Sequence, residues 1–504
     1  IKQKKIKDFH EYQEFLRSNE IILDHNKREK LILEKVKSIC KNRSCKEYID
    51  QSLLTEVSNL VDKPRIVLAK FDKSYLKLPS EVIKSTLQFH QRYFTLVDHK
   101  DRIINEFVIV VNKPDLKKLI RAGNERVVEA RLSDASFFWE KDKSLNLIKQ
   151  INKLKQITFY ENLGSIYEKT QRLRKMAYFI SDELNLNKEK IEIASSVSKS
   201  DLVSGLVGEF PELQGVMGKY FAFSQGFEED VCRAISEHYL PISISSPVAK
   251  KPVSCALSII DKLDTLTGFY LINEKPTSSK DPFALRRTAI GLIRVVIENR
   301  LSIQLKDLIN YSENLYREQG AEFLNKDTTK DVLFFLKERF KNFLKDKKIR
   351  RDIIEAVDLS QNDNDLLSLY KKCNILNKNV SKDICKNIIG AYKRASNIID
   401  QELKMKKGSI TGQPDSFLFK KEEEKNLYNK INEIREYFSN AKKHEKYEET
   451  LKILASAKHV TDIFFENVIV NDENLDIKKN RLELLQMFCT VYNNFVDFSK
   501  VEGT

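Results

Sequence analysis

The sequence predicts a mainly α-helical, multidomain protein with an α+β portion near its N-terminus. At 504 residues, the chain is long enough for roughly three or four domains. Over most of its length, apolar residues recur at three- and four-residue spacings, which is the period of an amphipathic helix. Short runs of β-branched residues fall between about residues 52 and 115, so the strands are expected there.

The first 155 residues combine helices and strands. Residues 1–48 are predicted to be helical because "YQEFLRSNEIILDHNKREKLILEKVKSIC" has the helical period. The runs "RIVLAKF" and "FVIVVN" are bounded by Pro, Asp or Asn and predict strands. Between them, "SEVIKSTLQFHQRYFTLVD" predicts a helix that leads into a third strand. Residues 49–155 are therefore interpreted as an α+β domain.

Helices dominate the remaining chain. "ERVVEARLSDASFFWEKD" and "SLNLIKQINKLKQITFYENLGSIYEKTQRLRKMAYFISDEL" both carry the helical period. Loops are expected where Pro, Gly, Ser and Asn accumulate, at "LNLNKEK", "PISISSPVAKKP", "NEKPTSSKDP" and "KKGSITGQPDS". We predict a helical domain over 156–305, a helical connector over 306–385 and a separate helical bundle over 386–504.

Charge and cysteine content narrow the function classes. A net charge of +14 and a pI near 9.1 favour nucleic acid first and a membrane surface second, although a genomic base bias toward Lys would give the same excess. No apolar run approaches the roughly 18 residues that span a bilayer. The cysteines form no Cys-x-x-Cys pair, which argues against a zinc ribbon and for reduced thiols in the cytoplasm.

A cluster of glycines stands out in "DLVSGLVGEFPELQGVMGKYFA". Its glycines are Gly205, Gly208, Gly215 and Gly218. Their spacing does not match the GxxxxGK[ST] of a phosphate loop. Glu209 and Glu212 flank Pro211, which indicates a helix start with Glu212 near its positive end rather than an acid–base pair. We therefore expect the glycines to allow close packing.

Histidine content argues against a metal hydrolase in the middle of the chain. Between His99 and His444 the only histidine is His238. Phosphohydrolases with a His–Asp dyad need several histidines around their metal. Residues 160–300 are therefore predicted to bind no catalytic metal. No recognisable nucleophile accompanies His238, which is interpreted as a structural or surface residue.

The segment "DPFALRRTAIGLIRVVIENR" predicts a helix with a basic face. Asp281 and Pro282 suit the N-cap and the first helical position. The cations of this helix are Arg286, Arg287, Arg294 and Arg300. Guanidinium groups suit phosphate, but a solvated charged face, or an ion pair with Asp261 or Asp264, would explain the same residues.

Taken together, "DLVSGLVGEFPELQGVMGKYFA", "CALSIIDKLDTLTGFY" and "KDPFALRRTAIGLIRVVIE" resemble the β subunit of bacterial heterotetrameric glycyl-tRNA synthetases. Upstream, "QFHQRYFTLVD", "AGNERVVEARLSDASFFWEKD" and "ENLGSIYEKTQRL" are similar to segments of the same family. Downstream, "AYKRASNIID" and "DIFFENVIVNDENLDIKKNRLELLQMF" resemble its anticodon-binding domain, which is shared with arginyl-tRNA synthetase. Family chains begin earlier than Ile1, so an N-terminal region that contacts the α subunit is expected to be missing, and 1–48 would be the end of it.

The resemblance implies that 156–305 is a helical domain related to the His–Asp phosphohydrolases, with a degenerate metal site. Asp201 would keep the aspartate of the dyad, while Ser200 stands where a histidine is needed. Asp261 or Asp264 would hold the last acidic position. On this interpretation the domain binds no metal, and the fold is kept without the hydrolase activity.

The resemblance also implies the function. The β subunit would bind tRNA(Gly) by its acceptor arm and anticodon, so that the α subunit can transfer glycine from glycyl-adenylate. This chain would then hold no catalytic residue and no cofactor, ATP and Mg²⁺ being used through the α subunit, in the cytoplasm and without a membrane or DNA partner. Candidate tRNA-binding residues are Arg286, Arg287, Arg294, Lys393, Arg394, Lys478, Lys479 and Arg481.

Two features of the C-terminal candidates leave alternatives open. Lys478 stands where family members carry Arg, and lysine loses the bidentate geometry of a guanidinium. Tyr392, Phe464 and Phe465 could stack on unpaired bases or belong to the core. Two other classes also remain: a stand-alone hydrolase, against which the histidine count argues, and a nucleic-acid-binding scaffold without a synthetase partner.

Overall fold

A computed structural model describes residues 5–321, 324–357, 364–406, 410, 412–440 and 446–502. Its helices are α1 (Phe9–Ser18), α2 (His25–Arg43), α3 (Gln51–Leu60), α4 (Ser80–Lys84), α5 (Leu119–Asp142), α6 (Leu147–Gln150), α7 (Ile166–Glu183), α8 (Lys188–Val197), α9 (Gly205–Glu209), α10 (Val216–Ser224), α11 (Glu229–Glu237), α12 (Pro252–Leu271), α13 (Leu285–Glu298), α14 (Leu305–Glu318), α15 (Thr328–Asp346), α16 (Arg351–Ala356), α17 (Leu366–Asn379), α18 (Asp383–Lys406), α19 (Glu422–Asn440), α20 (Tyr447–Ser456), α21 (Lys458–Asn467) and α22 (Leu475–Asn493). Its strands are β1 (Lys46–Tyr48), β2 (Arg65–Lys70), β3 (Phe94–Val97), β4 (Ile103–Val111), β5 (Thr158–Tyr160) and β6 (Gly164–Ser165). The mainly helical fold class is confirmed.

The chain forms two compact units. Unit 1 comprises Ile1–Phe159, Ser165–Gln171 and Ile193–Glu237, and unit 2 comprises Tyr160–Gly164, Arg172–Glu192 and His238–Thr504. The boundaries of these two units differ from those of the five segments expected from the sequence. The boundaries of the five segments stay predictions.

Unit 1 contains an antiparallel sheet with the strand order β1-β3-β4-β2. The three predicted strands are present as β2, β3 and β4, and β1 is a short strand that the sequence analysis missed. Helices α2 and α3 cover the sheet, with Ile32, Val36, Leu53, Phe94 and Val108 in one buried cluster. The sheet therefore has the apolar face that its β-branched runs predict.

Two predicted helices are interrupted. The helix predicted over 1–48 breaks after α1, where Glu20 takes a positive φ of 60°, and α2 restarts at the N-cap Asp24. The helix predicted from residue 144 to residue 184 is wrong over 158–165, which forms β5, a turn and β6. Asn162 in the turn and Gly164 at the start of β6 have φ of 66° and 83°, a backbone conformation that ends a right-handed helix.

Unit 2 is built around α12, which is buried along nearly its whole length and packs against α13, α14 and α15. Toward the C-terminus, α18 packs against α20, α21 and α22, and α19 packs against α21 and α22. The core of this bundle includes Leu427, Ile431, Phe464, Phe488 and Tyr492. Among the residues with described positions, no helix is both long and apolar enough to cross a membrane.

Candidate nucleic-acid interface

A cavity of about 300 Å³ in unit 2 is lined by the start of α13 and by the loop from Pro241 to Ile244. The predicted helix start is wrong, because α13 begins at Leu285 and its N-cap is Ala284, at φ 52°. The Asp281 carboxylate nevertheless caps the helix. It accepts hydrogen bonds from the backbone N–H of Leu285 at 2.8 Å and of Arg286 at 3.0 Å. This cap fixes the first turn of α13, which carries Arg286 and Arg287.

Arg286, Arg287 and Arg294 line the cavity, and each has different contacts. Arg294 donates to the carbonyl of Ile244 at 2.8 Å and to Glu298 at 2.8 Å, so it fastens the loop. Arg286 donates to the carbonyl of Thr277. Arg287 is exposed and has no hydrogen-bond or ion-pair partner within the described parts of the chain. Of the three, Arg287 is therefore the one whose guanidinium is available to an anion.

The alternative ion pair of this helix with Asp264 is not formed, because Asp264 pairs with Arg172. The Arg172 guanidinium lies 2.6 Å and 3.1 Å from the two Asp264 carboxylate oxygens, and the side chains are 1% and 0% exposed. It also donates to the Tyr316 hydroxyl at 2.9 Å and to Gln319 at 2.6 Å. Burial lowers the pKa of Arg172, but the Asp264 charge outweighs it and the pKa stands above its ordinary value.

Asp201, the expected remnant of a His–Asp dyad, serves a turn of the backbone. Its Oδ2 accepts hydrogen bonds from the N–H groups of Gly215 at 2.6 Å and Gly218 at 3.0 Å, at the start of α10. Its other oxygen and the hydroxyl of Ser200 are buried without a hydrogen-bond partner among the described residues. Within those residues, no group of three or more His, Cys, Asp or Glu is arranged to hold a metal. The degenerate His–Asp site stays a prediction.

Stability relative to an Asp201→Asn variant is expected to increase as the pH falls from 7 to about 4. Burial raises the folded-state pKa of Asp201 to about 6 from 3.8, whereas Asn can accept the same two hydrogen bonds without a charge. The stabilisation from proton uptake is therefore complete below the unfolded pKa and is lost as the pH rises through the folded one. Urea denaturation of both proteins across this range measures the difference, and a constant difference would contradict the expectation.

The expected packing role of the glycine cluster is confirmed at Gly205 and Gly218 and does not hold at Gly215 and Gly208. A Cβ at Gly218 would lie 2.7 Å from the Ile235 side chain, and a Cβ at Gly205 would overlap the Phe138 ring. Gly215 is required instead by its φ of 78°. A Cβ at Gly208 would have no neighbour within 4 Å among the described residues, so packing does not explain this glycine.

Glu209 and Glu212, the two carboxylates of the same segment, have separate partners. Glu209 forms an ion pair with Arg131 at 2.6 Å. Glu212 lies 2.9 Å from Nε2 of His90 and accepts a hydrogen bond from the Ser85 hydroxyl. These contacts lie within unit 1 and support a structural role for both carboxylates, as the sequence analysis favoured.

Gly218→Ala is expected to lower the free energy of unfolding by about 1–3 kcal/mol, because the added methyl group overlaps Ile235 in a packed core. Gly208→Ala is the matched control, since it adds the same methyl group to open space in α9. It should be neutral or stabilising by up to about 1 kcal/mol. Thermal and urea denaturation compare the two, and equal effects would show that packing does not distinguish these glycines.

His238 is a core residue, in agreement with a structural role. Its side chain is fully buried, and its carbonyl accepts a hydrogen bond from Nζ of Lys262 at 3.0 Å. Lys262 also donates to the carbonyl of Leu240 at 2.8 Å and to the hydroxyl of Ser258 at 2.7 Å. This buried lysine was not singled out in the sequence, because two of its acceptors belong to a distant loop.

The C-terminal candidates differ in accessibility. Lys393 is half-buried, whereas Arg394 is exposed, 3.7 Å from Asp462 and over the Phe465 ring. The Lys479 side chain is 73% exposed and only loosely paired, 3.9 Å from Glu483. Lys478 is 17% exposed and forms an ion pair of 2.8 Å with Glu402. Lys479 and Arg394 therefore present the more accessible charges.

Arg481 is not accessible, which corrects its assignment as a tRNA contact. Its side chain is 4% exposed and is paired with Glu424 at 2.7 Å and Asp472 at 2.7 Å. It also donates to the carbonyl of Ile469 at 2.8 Å. With these partners, the guanidinium connects α22 to the start of α19 and to the loop before α22, and its role is structural.

The aromatic candidates are mostly core. Tyr392 and Phe464 are 4% and 0% exposed, and Phe465 is half-buried beneath Arg394. The aromatic that the sequence analysis missed is Phe417, which is 92% exposed. It lies directly after "KKGSITGQPDS", a segment recognised only as a loop.

Comparison with known proteins assigns two parts of the chain to known families. The family model of the glycyl-tRNA synthetase β subunit matches residues 1–358, and that of the DALR anticodon-binding domain matches residues 388–501. The glycine–tRNA ligase β subunit of Rickettsia canadensis is 36% identical over 99% of this chain and 72% of its own length. Those of Clostridioides difficile and Rhodospirillum centenum are 36% and 35% identical, and the chain covers 70% of each. The chain therefore belongs to the glycine–tRNA ligase β-subunit family and carries a DALR anticodon-binding domain at its C-terminal end.

Proposed function

We propose that this chain binds and positions tRNA(Gly), by its acceptor arm and its anticodon, so that a catalytic α subunit can transfer glycine from glycyl-adenylate to the tRNA. The observation that carries the proposal is the anticodon-binding match over 388–501 in a chain of the β-subunit family. The net charge of +14 supports an RNA ligand. In this proposal ATP and Mg²⁺ act on the α subunit, and this chain binds neither them nor DNA.

A cytoplasmic location is part of the same proposal, because tRNA aminoacylation serves translation. All seven cysteines are free thiols and are buried. Burial raises the pKa of the Cys373 and Cys489 thiols to about 12, which keeps them protonated and unreactive. Reduced, inert thiols support a reducing compartment.

The direct test combines this chain with the α subunit, glycine, ATP and tRNA(Gly). Glycyl-tRNA should form only when both subunits are present, while the α subunit alone should still exchange pyrophosphate with ATP in the presence of glycine. In parallel, the full chain should bind tRNA(Gly) more tightly than the same tRNA with a replaced anticodon, at one fixed salt concentration. Aminoacylation by the α subunit alone, or equal binding of all tRNAs, would contradict the proposal.

Arg287→Glu is expected to weaken tRNA binding and to reduce the slope of log K against log salt by about one. The reason is that Arg287 is the available guanidinium of the cavity at α13 and is proposed to contact a phosphate of the acceptor arm. Because the side chain is exposed, the melting temperature should not change. Filter binding at several salt concentrations measures both the affinity and the slope.

Arg351→Glu is the matched charge reversal for this experiment. Arg351 is also exposed and belongs to unit 2, but it is paired with Glu355 at 2.8 Å. Arg351→Glu should change the net charge of the protein by the same amount and leave the slope of log K against log salt for tRNA binding nearly unaltered. If Arg287→Glu lowers the melting temperature and leaves tRNA binding unchanged, Arg287 has a structural role instead.

A further inference from the structure

Phe417 has the highest exposure, 92%, of the large apolar side chains in the described part of the chain. It lies in a short 3₁₀ turn, Ser416–Leu418, between α18 and α19 and within the segment matched to anticodon-binding domains. A single exposed apolar residue is common and has no meaning by itself. The turn that carries Phe417 supplies the further observations.

The turn is fastened to α22 through the residue that precedes it. The Asp415 N–H donates to the Asn480 side-chain oxygen at 2.6 Å, and the Asn480 amide donates back to the Asp415 carbonyl at 3.0 Å. The Asp415 carboxylate accepts from the N–H of Phe417 at 2.9 Å, which closes the turn. Earlier in the loop, Gly412 passes so close to Glu483 that a Cβ would overlap its carboxylate. The ring is therefore held outward by a defined backbone, and ordering it on binding needs little further loss of entropy.

Basic side chains lie on the elements that hold the turn. Lys479 directly precedes Asn480 on α22 and is 73% exposed. Lys420 and Lys421 follow the turn, are exposed, and donate their backbone N–H groups to the Glu424 carboxylate at 2.8 Å and 2.7 Å. Because Nζ of Lys421 also donates to the Asn467 carbonyl, Lys479 and Lys420 present the more available ammonium groups. An aromatic ring flanked by lysines is the combination by which proteins bind unpaired nucleotides, since the ring stacks on a base and the cations contact the phosphates.

We propose that Phe417 is a stacking platform for an unpaired base of the tRNA anticodon loop. The proposal rests on the proposed function, because it requires that residues 388–501 bind the anticodon arm. The rival occupant is an apolar protein surface, which would also cover the exposed Ile469 and Leu475 at the ends of the neighbouring loop. Of these apolar side chains, a base would contact only the Phe417 ring, whereas a protein surface would also contact Ile469 and Leu475. The two occupants are therefore distinguished by whether Ile469 and Leu475 contribute to binding.

The test uses the full chain with Phe417 replaced by Ala, Leu or Tyr. Phe417→Ala should weaken binding of tRNA(Gly) by roughly 5- to 150-fold, the range that the loss of one stacked base gives. Phe417→Tyr should bind like the parent protein, and Phe417→Leu like the Ala variant, because leucine keeps the apolar surface without the π face. Melting temperatures should not change, since the ring is exposed. Phe334→Ala on α15, where the side chain is 66% exposed outside 388–501, is the matched control and should have no effect.

A spectroscopic readout locates the contact. The chain has one tryptophan, Trp139, so a Trp139→Phe, Phe417→Trp variant has its only indole at the proposed platform. Its fluorescence should be quenched by tRNA(Gly), and not by a tRNA whose anticodon nucleotides are abasic. The abasic tRNA should also remove the binding difference between the parent protein and Phe417→Ala.

Each outcome decides between the inference and the function on which it rests. If the parent protein distinguishes normal from abasic anticodons but Phe417→Ala binds equally well, the stacking role is overturned and the proposed function stands. If the parent protein binds both tRNAs alike, anticodon binding itself is overturned. If Phe417→Ala and Leu475→Ala both weaken association with the α subunit while tRNA binding is unchanged, the surface contacts a protein and the stacking role is overturned.

Discussion

Replacing Arg172 by Met is expected to lower the free energy of unfolding by about 3–5 kcal/mol. The substitution leaves the Asp264 carboxylate buried without its cation, in surroundings where it is 0% exposed. It also removes hydrogen bonds to the Tyr316 hydroxyl and to Gln319. Chemical denaturation followed by circular dichroism measures the loss.

Two further variants separate the lost charge pair from the lost side chain. Arg174→Met removes an arginine of the same helix whose ion pair with Glu192 is half exposed, and it should cost about 1 kcal/mol or less. A double variant, Arg172→Met with Asp264→Leu, should recover much of the stability, because an apolar pair often replaces a buried ion pair without loss. An Arg172→Met variant as stable as Arg174→Met would show that the buried pair is not what stabilises α7.

The second large effect is expected for Arg481→Met in the anticodon-binding domain. The substitution leaves Glu424 buried at 0% exposure without its cation, and should destabilise the domain by about 3–5 kcal/mol. It also removes the hydrogen bond to Ile469 and the ion pair with Asp472, both in the loop before α22. Binding of tRNA(Gly) should therefore fall together with the melting temperature.

Lys479→Met is the matched control, because it removes a cation two positions away on the same helix. Lys479 is exposed, so its loss should change the free energy of unfolding by less than about 0.5 kcal/mol. It should nevertheless weaken tRNA binding and lower its salt dependence, since the proposed contact is with phosphate. The opposite pattern, with Lys479→Met destabilising and Arg481→Met harmless, would reverse the roles that the structure gives these residues.

Local sequence patterns predicted the fold class and most of the elements. Apolar periodicity and β-branched runs are properties of neighbouring residues, so they locate the helices α5 and α7 and the strands β2, β3 and β4 without any tertiary information. It failed where a few residues override the pattern, as in the turn with Asn162 and Gly164, whose positive φ values end a helix that the apolar spacing continues. The family was also identifiable from the sequence, since several long segments occur in a consistent order.

The accessibility of each candidate side chain was decided by tertiary structure alone. Arg287 and Arg481 are both arginines on amphipathic helices, but Arg287 is exposed and Arg481 is buried. Glu424, the carboxylate that pairs with Arg481, lies 57 residues away in the sequence, on another helix. Asp264 likewise meets Arg172 across 92 residues, and no sequence spacing indicates that pairing. The sequence does not indicate the exposure of Phe417, because that exposure depends on a turn that Asn480 holds from another helix. By itself the sequence determined which residues are basic, aromatic or small; burial and long-range pairing, which set the electrostatic and stacking surfaces open to a ligand, arise only when distant elements meet.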